Sequence, residues 1–263
     1  MNWPQDPTLA VNVDIVDPLI FPFVGQPKLN GIRACWDGEH LISRQKKVWS
    51  PQKLPHIYEK LSQFSNNYPG IHLDGELYCH GMPNQEINAR CAINSVTAHP
   101  DCHVIDFHAF DIICSDTTEL RQTALCQIYK PWTAVCKITN EKEMEVWLNR
   151  FVEAGFEGLM MRALFCPYIS GRTEALIKVK PWKFTNGTIF DFNEGLGKYK
   201  GMLGALRVKL DEKHYVNVSG GLTDELRDKI WRHKDVWRNR PVVIKYRDLS
   251  NTRIPLQPQI VRL

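Results

Sequence analysis

The sequence predicts an α+β fold in two domains, 1–186 and 187–263. Three observations lead there. Upstream of residue 186, short stretches of strand period alternate with segments of helical period, the mixture that builds antiparallel sheets with flanking helices. Around KFTNGTI the texture changes, and beyond it glycine-rich turns separate short strands, broken by one helical segment, TDELRDKIWR. The chain of 263 residues is long enough to give each part its own core.

Taken in order, the first two dozen residues are rich in proline and are expected to be irregular. LNGIRACWDGEHLISRQKKVWS alternates as two strands around the turn Asp37-Gly38. Residues 51–64 have helical spacing, IHLDGELY reads as a strand, residues 84–93 as a helix, and FHAFDIIC as an apolar strand. The segment 139–154 places Met144, Trp147, Leu148, Phe151 and Val152 at helical intervals, with acidic residues in its first turn and Gly155 as its stop. EGLMMR and EALIKVKPW close the first domain as strands. No internal repeat or low-complexity segment is visible.

Composition excludes several classes. Hydrophobic residues make up 43% and charged residues 24%, no apolar run is long enough to span a bilayer, and MNWPQDPTLAVNVD lacks the basic-then-apolar pattern of a secretory leader, so a cytoplasmic protein is expected. The eight cysteines never form C-x-x-C and lie in apolar stretches, the setting of reduced thiols rather than a disulfide framework or zinc site. A net charge of +4 permits a polyanionic partner without requiring one.

The stretch QPKLNGIRACW holds Lys28, Gly31 and Arg33 in the order K-x-x-G-x-R. Singly, Lys28 fits a solvated surface lysine, Glu76 a turn acid, Phe110 a core aromatic, and Lys178 and Lys180 the wet face of a strand. Downstream, in order, stand LDGELY, FHAFD, GFEGLMMR and GRTEALIKVK. This string resembles the nucleotidyltransferase motifs of ATP-dependent DNA ligases. GLGKYKGMLGALRV, VSGGLTDELRDKIW and VVIKYRDLSNTRIP are similar to the β-barrel oligonucleotide-binding (OB) domain of small, viral-type members. Five motifs in sequence are far more specific than any one of them.

The chemistry asks for these residue types. A lysine amine attacks the α-phosphate of ATP only when neutral, so cationic neighbours or desolvation must favour loss of its proton. Lys178 and Lys180 alternate, which predicts both on one face of a strand, with Arg33 approaching from the motif turn and Gly31 letting the backbone turn tightly. The resemblance implies that Lys28 accepts AMP, Glu76 contacts the ribose, Phe110 stacks on adenine, Gln26 lies near the adenine edge, and Glu157 holds Mg²⁺ or Mn²⁺ against the departing pyrophosphate. It also implies a monomer, with no membrane contact, that seals nicked double-stranded DNA, whose phosphates Arg44, Lys46, Lys47, Lys198 and Lys200 would track.

The pattern departs from the family in places. Asn30 stands where aspartate is usual, Gln45 and Lys46 replace an asparagine-glycine pair after Ser43-Arg44, and only Arg253 or Arg262 could serve the C-terminal basic motif. RNA ligases and mRNA capping guanylyltransferases share the superfamily, and a non-catalytic protein that binds nicked DNA is the reading from a different class. Retention of Lys28, Glu76, Glu157, Lys178 and Lys180 argues against the last.

Overall fold

The computed structural model describes residues 7–13, 16, 18–92, 97–250 and 252–263. These divide into two compact units, Met1–Val179 and Lys180–Leu263. The first unit runs β1 (Thr8–Asn12), β2 (Phe23–Lys28), β3 (Ile32–Trp36), β4 (Leu41–Ser43), α1 (Pro55–Asn67), β5 (Leu73–Tyr78), α2 (Asn84–Arg90), β6 (Asp106–Ile112), α3 (Thr118–Ile128), β7 (Cys136–Ile138), α4 (Glu141–Glu153), β8 (Gly158–Ala163) and β9 (Gly171–Val179).

Its strands form two sheets, ordered β1-β9-β8-β2-β7 and β4-β3-β5-β6. Two-residue alternation splits each sheet into an apolar and a polar face. In the five-stranded sheet, Phe23, Leu159, Met161, Ile177 and Val179 pack with Met144 and Leu148 of α4. The alternate residues share the other face, where the register sets Gln26, Met160 and Lys178 in one row and Lys28 opposite Gly158. In the four-stranded sheet, Trp36, Leu73, Leu77, Phe107 and Ala109 join Ile57, Leu61 and Phe64 of α1 in the larger core. Arg33 and Glu76 pair across β3 and β5 on its polar face, with His108 of β6 beside them. The polar faces meet, for Gln26 Nε2 donates to the Phe110 carbonyl at 2.9 Å.

Local signals explain most of these elements. Asn140 caps α4 by accepting from Glu143 N at 3.0 Å, and Gly155, at φ +87°, ends it. The proline-rich start is not uniformly irregular: β1 pairs in parallel with β9, and β2 is a central strand. Pro27 is tolerated there because β7 reaches only Phe23 to Gly25, so at Pro27 the missing N–H faces no second strand.

The second unit runs β10 (Lys183–Glu194), β11 (Leu203–Lys209), β12 (Tyr215–Val218), α5 (Asp224–Arg232), α6 (Lys234–Trp237), β13 (Pro241–Tyr246), β14 (Asp248–Leu249), β15 (Pro255–Leu256) and β16 (Gln259–Arg262). Residue 186, the expected boundary, lies inside β10, which pairs with β13 from Lys183 onward. Five strands form an antiparallel sheet, β12-β11-β10-β13-β16, over a core that includes Ile189, Leu206, Val218, Ile244 and Ile230 of α5. The sheet curls until its edges touch at one parallel bridge, Gly220 to Gln259, where Ile260 N donates to the Gly220 carbonyl at 2.9 Å. The expected barrel is therefore an OB-like sheet joined at one point rather than fully closed among the described residues. A Cβ on Gly221 would lie 2.3 Å from the Ile260 carbonyl oxygen, so the seam requires glycine. Arg227 braces the unit from within, donating to the carbonyls of Leu203, Gly204 and Ser219.

Candidate active site

Lys28 ends β2. The Glu157 amide donates to the Lys28 carbonyl at 3.0 Å, which brings the residue before β8 alongside, and Lys28 Nζ forms an ion pair with Glu157 Oε2. Both side chains keep a solvent path, being 21% and 26% exposed. Gly31 is needed here for a reason other than a tight turn. Its φ is not positive, but a Cβ would fall 2.2 Å from the Leu77 carbonyl oxygen, so only glycine lets this segment lie against β5. Its amide donates to Glu76 Oε1 at 2.8 Å. Burial pushes the Glu76 carboxyl up to about 7, opposed by the Gly31 N–H, Lys28 and Arg33 and reinforced by Glu157.

Arg33 is committed to a carboxylate. Its guanidinium grips Asp74 through both oxygens, reaches the Thr8 carbonyl, and lies 5.4 Å from the Phe110 ring centre. Tyr168 also donates to Asp74, at 2.7 Å. Arg162 also approaches the Phe110 ring, 5.1 Å from its centre. Gln26, 1% exposed, is held on all sides: Nε2 donates to the Phe110 carbonyl and to Gln122, and Oε1 accepts from Arg162 at 2.9 Å.

Beneath them lies Asp111, fully buried, bridged by Arg121 at 2.8 and 3.1 Å and by Arg162 at 2.9 Å. Sequence reasoning assigned nothing to Asp74, Asp111, Arg121, Gln122, Arg162 or Tyr168. Asp74, Asp111 and Arg162 stood inside quoted motifs, so an unassigned charge within an apolar strand was the available signal. Arg121, Gln122 and Tyr168 gave none.

Lys178 shares the row of Gln26 and Met160, on the face that carries Lys28. Lys180 does not continue that strand. β9 ends at Val179, and Lys180 belongs to the second unit, where its ammonium meets Asp248 Oδ2 at 2.8 Å. A cleft of about 620 Å³ opens beside the Lys28 segment, lined among others by Gly31, Arg33, Arg44, Lys47, Glu76 and Asn84. Arg44 to Lys47 form the loop after β4, with Lys46 at φ +63°. In the second unit Lys198 and Lys200 are exposed, Lys198 lying 4.5 Å from the Tyr199 ring centre. Asn30, Arg253 and Arg262 are exposed. Among the described residues no three His, Cys, Asp or Glu side chains group to hold a metal ion.

A mixed two-sheet domain with a lysine and acidic side chains on its meeting polar faces, followed by a curled five-stranded unit, is a nucleotidyltransferase domain joined to an OB-like domain. The chain belongs to the ATP-dependent DNA ligase family: the ATP dependent DNA ligase domain matches residues 7–180 and the DNA ligase OB-like domain residues 194–263. It is 27% identical over 275 residues to a DNA ligase of African swine fever virus, covering 93% of this chain and 63% of that protein. A Haemophilus influenzae DNA ligase is 21% identical over 241 residues, covering 89% and 83%. The chain thus spans less than two thirds of the viral relative. The fold is also that of solved ligases: a Lig E DNA ligase superposes at a TM-score of 0.58 and 24% identity, covering 98% of both chains. The bacteriophage T7 ATP-dependent DNA ligase, solved with ATP, does so at 0.57 and 18%, again over 98% of both.

Proposed function

We propose that this chain is a DNA ligase that takes AMP from ATP onto Lys28 and uses it to seal nicks. The observation that carries this reading is Lys28 in an ion pair with Glu157, beside a Gly31 segment fixed by Glu76. Lys28 Nζ attacks the α-phosphorus, an N–P bond forms, the bond to the bridging oxygen breaks, and pyrophosphate leaves. The attacking amine must shed a proton, and Glu157 is already its hydrogen-bond acceptor. Glu157 also fits Mg²⁺ or Mn²⁺, hard cations that take one or two carboxylates and complete their shell with phosphate oxygens and water; bound there, the ion would neutralise charge on the departing pyrophosphate.

In this reading Glu76 meets the ribose, Phe110 and Gln26 the adenine, and Lys178 the phosphates, which Arg33 and Lys180 would join by exchanging Asp74 and Asp248 for phosphate oxygens. AMP then passes to a 5′-phosphate, and the neighbouring 3′-hydroxyl displaces it. Arg44, Lys46, Lys47, Lys198 and Lys200 hold the backbone of nicked duplex DNA, and the protein works as a monomer in the cytoplasm. No helix is long and apolar enough to cross a membrane among the described residues.

The test is incubation with α-labelled ATP and Mg²⁺. The protein should retain label covalently, Lys28→Ala should retain none, and that variant should still seal part of a pre-adenylated nick, because the lysine is the nucleophile only in the first step. Labelling of Lys28→Ala would overturn the assignment. Nicks with DNA or RNA strands, offered with ATP or GTP, separate this reading from RNA ligase and capping activities.

A further inference from the structure

The segment that carries Lys28 is fixed by two consecutive peptides, and only one fixing residue has so far been given a role. The Gly31 amide donates to Glu76. The Gly31 carbonyl accepts from Asn84 Nδ2, at the start of α2. Asn84 cannot turn its amide over at no cost, because its Oδ1 accepts from Asn88 Nδ2 at 2.7 Å, one helical turn on, and the same nitrogen donates to the Asn84 carbonyl at 3.0 Å. Asn88 therefore fixes which end of the Asn84 amide faces Gly31. With the Leu77 carbonyl closing the space where a Cβ would go, the Gly31 backbone is held by β5 on one side and α2 on the other.

We propose that Asn84 is a positioning residue for the adenylation of Lys28, acting through its donated hydrogen bond to the Gly31 carbonyl, and that Asn88 orients it. The inference rests on the ligase reading above. Two residues separate Gly31 from Lys28, Leu29 buried and Asn30 exposed, so the Gly31 backbone sets how the strand end presents the amine to Glu157. Misplacing a nucleophile by about an ångström costs on the order of a hundredfold in rate.

Asn84→Ala and Asn84→Asp separate this role from simple support of α2. Aspartate has the same shape, and a negative charge in the first turn favours a helix, so if Asn84 serves only the helix, Asn84→Asp is harmless or stabilising. If the donated bond matters, aspartate is as damaging as alanine, because it presents an oxygen to the Gly31 carbonyl oxygen. The experiment measures two rates for each variant: AMP transfer from ATP to the protein, and sealing of a pre-adenylated nick, in which Lys28 is not the nucleophile. Both variants should lower the first about tenfold or more relative to the second, with the KM for ATP little changed, and Asn88→Ala should do so to a smaller extent. Equal loss in both rates, or a full rate in Asn84→Asp, overturns the proposal. Absence of labelling in the unmodified protein would instead defeat the ligase reading, so the two failures are distinguishable.

Discussion

Asp111 and Glu76 stand on neighbouring strands of one sheet and are treated in opposite ways. Asp111 is fully buried, yet accepts from two guanidiniums and from the Ile112 amide, so its charge is matched. Glu76 is shielded without such a partner: one backbone N–H points at it, and its carboxyl rises to about 7. The same contrast separates Arg162, locked under the site, from Lys28, whose carboxylate partner keeps a solvent path. A saturated network makes a rigid floor, and the groups left unsaturated above it are those free to exchange partners with a ligand.

The contrast can be broken from below. Asp111→Ala leaves Arg121 and Arg162 buried with no carboxylate between them, and should cost about 3–5 kcal/mol of stability. Urea unfolding of both proteins checks this, and a loss under about 1 kcal/mol would mean that the floor tolerates its charges unpaired.

It can be sharpened from above. Between the ordinary carboxyl value of 4.5 and about 7, folded Glu76 retains a proton that the unfolded chain has released. Stability from this group therefore falls as pH rises through that window and levels off above it. Glu76→Gln keeps an acceptor for Gly31 and titrates nothing. Its stability relative to the unmodified protein should rise between pH 4.5 and 7.5 by at most about 3 kcal/mol, read from urea midpoints across that range. A difference that stays flat with pH removes the distinction between the two acids.

The smallest effect concerns the loop beside the cleft. Lys46 holds φ +63°, a conformation that costs a non-glycine residue about 1 kcal/mol. Lys46→Gly should stabilise the protein by a few tenths to about 1 kcal/mol. If Lys46 also contacts a phosphate, the slope of log K against log salt for nicked DNA should become shallower by about 0.9. Thermal midpoints and salt titrations read the two effects separately.

What the sequence disclosed followed its periodicity. α4 has an apolar stripe, an acidic first turn and a glycine stop, and each could be read. β5, β6, β8 and β9 carry the motifs, and their apolar, strand-like runs could be read as strands. α3 escaped notice because its buried face is Thr118, Arg121, Gln122 and Leu125, and with Arg121 and Gln122 turned inward to Asp111 only Leu125 is apolar, which leaves no apolar stripe to detect. β2 was hidden by prolines whose lost donors the topology makes harmless. The floor was illegible because Asp111 meets Arg162 across 51 residues of chain and Gln26 meets it across 136, separations that no local spacing encodes. For the K-x-K pair, alternation held only to Val179, where the chain leaves the sheet.

β1 contributes an edge to the sheet that carries Lys28, and its partners are residues 171 to 178, at the far end of the same unit. During synthesis the N-terminal strand therefore emerges from the ribosome long before the strand it must join, and loop closure across some 160 residues is among the last and slowest contacts to form. Until β9 appears, β1 has no ladder, and β9 on arrival offers an open edge to any strand nearby. Because Arg33 reaches the Thr8 carbonyl, this late step also completes the surroundings of the site. A nascent chain thus completes the face that carries Lys28 only when the whole first unit has been made.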